Sequence, residues 1–126
     1  MQPISRRLSP VARGAVSDYY ARLAAPAHSP AQTRNLEQLR LGARLYAVGA
    51  PGRGLRPCAA CHGRPDVGWG AATPALGGQP AAYTAEQLRR WRRGERRNDP
   101  RGVMADQAQR LEGREIEAIA SFLVSR

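Results

Sequence analysis

A chain of 126 residues is enough for one ordinary domain with an appendage, and too short for two domains unless each is very small. All 20 basic residues are arginine, and the formal charge of +10 favours encounters with acidic partners; the aromatic-interleaved basic groove that would argue for nucleic acid is missing, so none is expected as a partner. No apolar run approaches the roughly 20 residues that span a bilayer, and residues 1–20 lack the continuous apolar stretch and cleavage site of a complete export signal.

An all-arginine, alanine-rich composition is what GC-biased codon usage produces, so individual arginines carry little functional weight. In chain order, Val16, Tyr19, Tyr20 and Leu23 form a helical stripe within Val11 to Ala25. Pro26 and Pro30 then forbid a helix and mark a linker. The spacing predicts a second helix over Thr33 to Val48, with Thr33 as its cap, Gly49 as its stop, and Leu36, Leu39, Ala43, Tyr46 and Ala47 on one face. Gly49 to Pro57 reads as a loop. Gly63 to Gln79, rich in Gly and Pro and without a sustained period, reads as an ordered wrap. A third helix is predicted from about Thr84 to Arg93, with Thr84 and Gln87 spaced as a capping box and Gly94 as terminator. Glu95 to Val103 reads as a polar loop. The last helix, about Glu112 to Val124, carries Ile116, Ile119, Ala120 and Leu123 on one stripe with Phe122 on its flank. Strand signals are nearly absent. The expected fold class is all-α with long loops, and so few large apolar side chains call for a bulky apolar cofactor at the centre.

The segment Cys58-Ala59-Ala60-Cys61-His62 has the spacing of a covalent haem attachment site. Two cysteines three apart lie on one side of a helical turn, where their sulfurs can add to the two vinyl groups on one edge of a porphyrin. The adjacent His62 can then ligate the iron. A tetrahedral zinc site needs four ligands, and beyond these three the chain offers only His28 and carboxylates. A dithiol redox motif needs a βαβ context that the pattern lacks. The sixth iron ligand decides what such a haem does. Only Met1 and Met104 carry thioethers. Met104 follows a loop far enough from His62 for the chain to wrap over the ring, and thioether ligation would raise the potential and close the site, as an electron carrier needs. Methionine is also a common core filler, and a haem left with an open position would point to a peroxidase.

With these residues in hand, 33–126 resembles a class I cytochrome c domain of the c₄ type. The motifs are Leu41-Gly42-Ala43-Arg44-Leu45-Tyr46, the CAACHG segment, Pro74-Ala75-Leu76-Gly77-Gly78-Gln79, Tyr83 with Gln87-Leu88, Gly94-Glu95-Arg96-Arg97-Asn98-Asp99-Pro100, Met104, and Glu115-Ile116 through Phe122. The resemblance implies the cytochrome c fold around one haem c per chain, bound through Cys58 and Cys61. It implies His62 and Met104 as axial ligands, the Pro74 carbonyl as acceptor for the other His62 ring nitrogen, and Gly42 with Tyr46 as the surface on which the Phe122 helix packs. It also implies electron transfer, without substrate chemistry, in a periplasmic redox chain. Alternatives in the same family context are the cytochrome subunit of a dehydrogenase or a peroxidase-like enzyme. Redox partners with acidic docking surfaces are expected, with Arg53, Arg56 and Arg64 near the attachment cysteines as candidates to meet them.

A second likeness is internal. Aligning Met1 with Met104 brings Leu8 onto Leu111, Val16 onto Ile119 and Tyr19 onto Phe122 without a gap. Residues 1–25 are therefore expected to be the remnant of the last helix of a preceding cytochrome c domain, joined by a linker at 26–32 to the domain at 33–126, with the first haem domain and the export signal missing from this chain.

Overall fold

The chain is described from a computed structural model that covers residues 2–24, 35–69, 73–99 and 101–126. Helix α1 (Gln2–Arg7) gives way to α2 (Pro10–Arg22) at Ser9. The Ser9 hydroxyl accepts from the Ala12 N–H at 3.1 Å, and Pro10 occupies the first helical position, where its missing donor costs nothing. No residue of α2 is buried: Val16, Tyr19, Tyr20 and Leu23 all stand exposed. The predicted linker, Thr33, His28 and Met1 lie outside the described residues.

Helix α3 (Leu36–Ala47) starts later than predicted. Asn35, rather than Thr33, caps it, its Oδ1 accepting from the Glu37 and Gln38 N–H groups at 3.0 and 3.2 Å. The buried positions are Gly42, Leu45 and Tyr46, whereas Leu36 and Ala47, expected on the inner face, are exposed. Gly42 and Tyr46, the surface that the resemblance implies for the Phe122 helix, are both among these buried positions. Beyond α3 come a 3₁₀ turn (Pro51–Arg53), the short α4 (Ala59–His62) and the predicted wrap, tied by the Leu76 and Gly77 N–H groups donating to the Pro65 carbonyl.

Helix α5 (Ala81–Arg92) begins one turn before the predicted capping box. Pro80 precedes it, Thr84 lies inside it with its N–H on the Pro80 carbonyl, and no side chain caps it. Its end is as expected. Gly94, at φ 71°, closes it with Gly94 N–H on the Trp91 carbonyl and Glu95 N–H on the Arg90 carbonyl, a pair of bonds that satisfies two otherwise orphaned acceptors. Helix α6 (Val103–Gln109), with Met104 in its first turn, was not predicted, since its seven residues are mostly small or polar. Helix α7 (Gly113–Leu123) is preceded by a capping box in which the Glu112 side chain accepts from the Glu115 N–H and the Glu115 side chain accepts from the Glu112 N–H. Among the described residues there is no strand; Ala50 and Leu55 form an isolated antiparallel bridge.

The core forms where α7 crosses α3 and α5 packs against α7 and α6. Leu45, Tyr46, Leu55, Ala85, Leu88, Leu111, Ile116, Ile119, Ala120, Phe122 and Leu123 make one buried cluster. Phe122, expected on the flank of its helix, is part of this core. The crossing depends on Gly42: a Cβ there would lie 2.1 Å from the Ala118 carbonyl oxygen and 2.8 Å from Phe122 Cβ. The close approach lets the Tyr46 and Phe122 rings meet with centroids 5.6 Å apart.

Candidate functional site

Cys58 precedes the first turn of α4, and Cys61 and His62 follow within it. The Cys61 and His62 N–H groups both donate to the Cys58 carbonyl, at 3.2 and 2.8 Å, which winds the two cysteines and the histidine into a single helical turn. Gly63 ends this turn at φ 63°, and a Cβ there would lie 2.2 Å from Trp69 Nε1. The Tyr46 hydroxyl donates to the Gly63 carbonyl at 3.0 Å, fastening the turn to α3. Burial is the main reason that the Tyr46 hydroxyl is pushed up to about 12, so it stays a neutral donor at any physiological pH.

His62 is buried, and its Nδ1 lies 2.9 Å from the Pro74 carbonyl oxygen. A carbonyl only accepts, so Nδ1 carries the proton and Nε2 is left with its lone pair. Both thiols are free and partly buried. Burial, with a smaller contribution from neighbouring Cys61, pushes the Cys58 thiol up to about 11, so it is protonated at neutral pH. This disfavours the thiolate chemistry of a dithiol oxidoreductase. Among the described residues no three His, Cys, Asp or Glu side chains cluster to hold a metal ion. Met104 is half-buried and packs against the same core cluster as Cys58.

The donor set of two thiols, an imidazole with a free Nε2 and a thioether fits a c-type haem. A further feature of the structure fits it as well. Trp91 Nε1 is buried and has no partner among the described residues, although buried indole N–H groups nearly always find an acceptor. Nothing in the sequence singles out Trp91, which stands among arginines on α5. Arg96 lies over its ring, 3.8 Å from the guanidinium carbon to the centroid.

The arginines near the attachment turn are less free than the sequence implied. Arg53 pairs with Glu112 and Glu115, and Arg64 pairs with Asp66. Arg56 makes no ion pair among the described residues.

No family model matches the chain. It is 38% identical over 125 residues to the thiosulfate dehydrogenase electron acceptor of Stutzerimonas stutzeri (strain A1501), a match that covers 99% of this chain and 57% of that protein. It is 33% identical over 69 residues to cytochrome c-554(548) of Halomonas halodenitrificans, covering 55% of this chain and 83% of that one. The chain belongs to the c-type cytochromes. Its fold matches the crystal structure of reduced recombinant cytochrome c4 from Pseudomonas stutzeri with a TM-score of 0.76 at 32% identity, over 86% of this chain and 56% of that one. It is a cytochrome c4-like class I cytochrome with the all-α fold of that family. Electron transport and haem come with the family, and the CxxCH spacing of Cys58, Cys61 and His62 is the haem c signature. The cytochrome spans little more than half the length of the thiosulfate dehydrogenase electron acceptor that it matches. Among the described residues no helix is long and apolar enough to cross a membrane.

Proposed function

We propose that the chain carries single electrons in a periplasmic redox chain through one haem c, held by thioethers at Cys58 and Cys61, with His62 Nε2 and Met104 Sδ as axial ligands. The observation that carries this reading is the bond between His62 Nδ1 and the Pro74 carbonyl, which leaves Nε2 as the nitrogen available to iron. The haem supplies, when bound, an iron that changes by one charge. The protein's part is to keep its surroundings the same in both states. The His62–Pro74 bond fixes the imidazole tautomer and raises its basicity. The Tyr46–Gly63 bond holds the turn that carries both cysteines. Trp91 Nε1 is the buried donor available to a polar group of the cofactor. If His62 and Met104 both hold the iron, it would have no open position for a substrate, which favours a carrier over a peroxidase.

The electron donor in this reading is a dehydrogenase, since a relative aligned over nearly the whole chain is named as a thiosulfate dehydrogenase electron acceptor. The contact would be to an acidic surface on that enzyme, with Arg56, near the attachment turn and without an ion pair among the described residues, as a cation to meet it. Residues 1–25 are read as the closing helix of another cytochrome c domain, 26–32 as a linker, and 33–126 as the domain described above. In support, Ala15, Val16, Tyr19 and Tyr20 align with Ala118, Ile119, Phe122 and Leu123, which are buried in α7, whereas nothing in α2 is buried.

Haem retention tests the attachment. Matured protein should keep its haem in acidified organic solvent, and Cys58→Ala with Cys61→Ala should release it. Release from the unaltered protein would overturn the covalent reading.

A further inference from the structure

The segment from Asp99 to Arg110 is built as a clamp on Met104, and the assignment below rests on the reading of Met104 as an iron ligand. Asp99 and Gly102 close a turn, with the Gly102 N–H donating to the Asp99 carbonyl at 3.1 Å. Gly102, at φ 64°, then leads into α6, whose first bond runs from the Asp106 N–H to the Gly102 carbonyl. The side chain of Asp99 folds back over this turn. Its Oδ2 accepts from the Met104 N–H at 2.6 Å and from the Ala105 N–H at 3.3 Å. These are two of the amide groups that a helix N-terminus leaves without internal partners. The usual capping position is Gly102, which has no side chain to serve them, so a carboxylate three residues earlier does so.

The other end of α6 is held by different groups. Arg110 donates from Nη1 to the Arg53 carbonyl at 3.0 Å, Arg53 donates from Nη1 to the Arg110 carbonyl at 3.3 Å, and Gln107 Oε1 accepts from the Arg56 N–H at 2.7 Å. The C-terminal end of α6 is thereby fastened to the loop that leads into Cys58. With that end anchored independently, loss of Asp99 would loosen α6 selectively at Met104. A methionine sulfur is a weak, uncharged ligand, so its hold on iron depends on how little backbone freedom it is left with.

We propose that Asp99 is a positioning residue for the distal ligand: its carboxylate, bonded to the Met104 and Ala105 amides, keeps the Met104 sulfur on the iron and excludes competing ligands.

The test compares unaltered ferric protein with Asp99→Ala and with Asp99→Asn, which keeps the shape and one uncharged acceptor. Cyanide binding is followed by stopped flow, together with the methionine–iron charge-transfer band, the midpoint potential and the denaturant midpoint. Hydrogen bonds to a charged acceptor are worth enough that cyanide should enter Asp99→Ala roughly tenfold faster or more, with Asp99→Asn between the two. The charge-transfer band should weaken and the potential should fall in the same order. Unchanged cyanide rates and band in both variants would overturn the proposal, whether or not the denaturant midpoint moves, because a merely structural cap would change stability alone. Absence of the charge-transfer band from the unaltered protein would instead overturn the assignment of Met104 as ligand, and the role of Asp99 would fall with it.

Discussion

Replacing Gly42 by alanine sets two opposed effects against each other, and the structure decides between them. Alanine is the better helix former by about 1 kcal/mol, so on local grounds the change should stabilise α3. The new Cβ, however, would lie 2.1 Å from the Ala118 carbonyl oxygen and 2.8 Å from Phe122 Cβ. Carbon contacts settle at about 3.5–4.0 Å, so α3 and α7 would have to part by roughly 1 Å. Overpacking of this kind costs about 1–3 kcal/mol. Parting the helices also weakens the Tyr46–Phe122 contact, of a type worth about 0.5–1.5 kcal/mol. The net expectation is a loss of about 2 kcal/mol, read as a lower midpoint in guanidinium unfolding of the haem-loaded protein with an unchanged slope. Gly14, in α2, has nothing within 4 Å of its would-be Cβ, so the same substitution there should be neutral or slightly stabilising. A Gly42→Ala protein as stable as the unaltered one would refute the argument that this close approach sets the α3–α7 crossing.

Met104→Ala should open the sixth position, lower the midpoint potential and admit imidazole or cyanide; an unchanged potential and spectrum would remove Met104 from the ligand set. Arg53→Gln should lower stability in a pH-dependent way. Burial pushes the Glu115 carboxyl up, but hydrogen bonds from Arg53 and the Glu112 N–H outweigh it and hold it below its ordinary 4.5. The pair therefore contributes fully above that value, and its contribution is lost as pH falls through the depressed folded value. The gap in denaturant midpoint between variant and parent should be wide near neutral pH and narrow as the pH falls through that depressed value; a gap that stays constant as acid is added would contradict this. Deleting residues 1–27 should leave the haem spectrum and potential intact, and loss of haem incorporation would show instead that α2 is integral to the domain.

The attachment turn was legible because its chemistry is local: two cysteines and a histidine act at a fixed spacing on one turn, and the structure winds them into that turn. The last helix was legible because Ile116, Ile119, Ala120 and Leu123 repeat at the helical period. The rest is hidden where local signals compete, where an element is too short to show a period, or where a partner lies far along the chain. Asn35 takes the capping position expected of Thr33, and either residue type can cap. The Thr84–Gln87 spacing matched a capping box, but Pro80, with its fixed φ, sets the start of α5 and leaves Thr84 inside the helix. Arg53 reads as a docking charge because it stands close in sequence to the attachment cysteines, whereas its ion-pair partners Glu112 and Glu115 come from α7 and the residue before it. Helix α6 is too short and too polar to show a period. Its signal lies just before it, in Asp99 and Gly102, residue types that tight turns favour.

A one-electron carrier with a closed, six-coordinate iron should declare itself in an optical redox titration of the matured protein. A single one-electron Nernstian transition per chain, with low-spin spectra in both oxidation states and the methionine–iron band in the oxidised one, is the predicted result. A high-spin ferric spectrum that binds peroxide and turns it over, or a chain that takes up no haem, would contradict it.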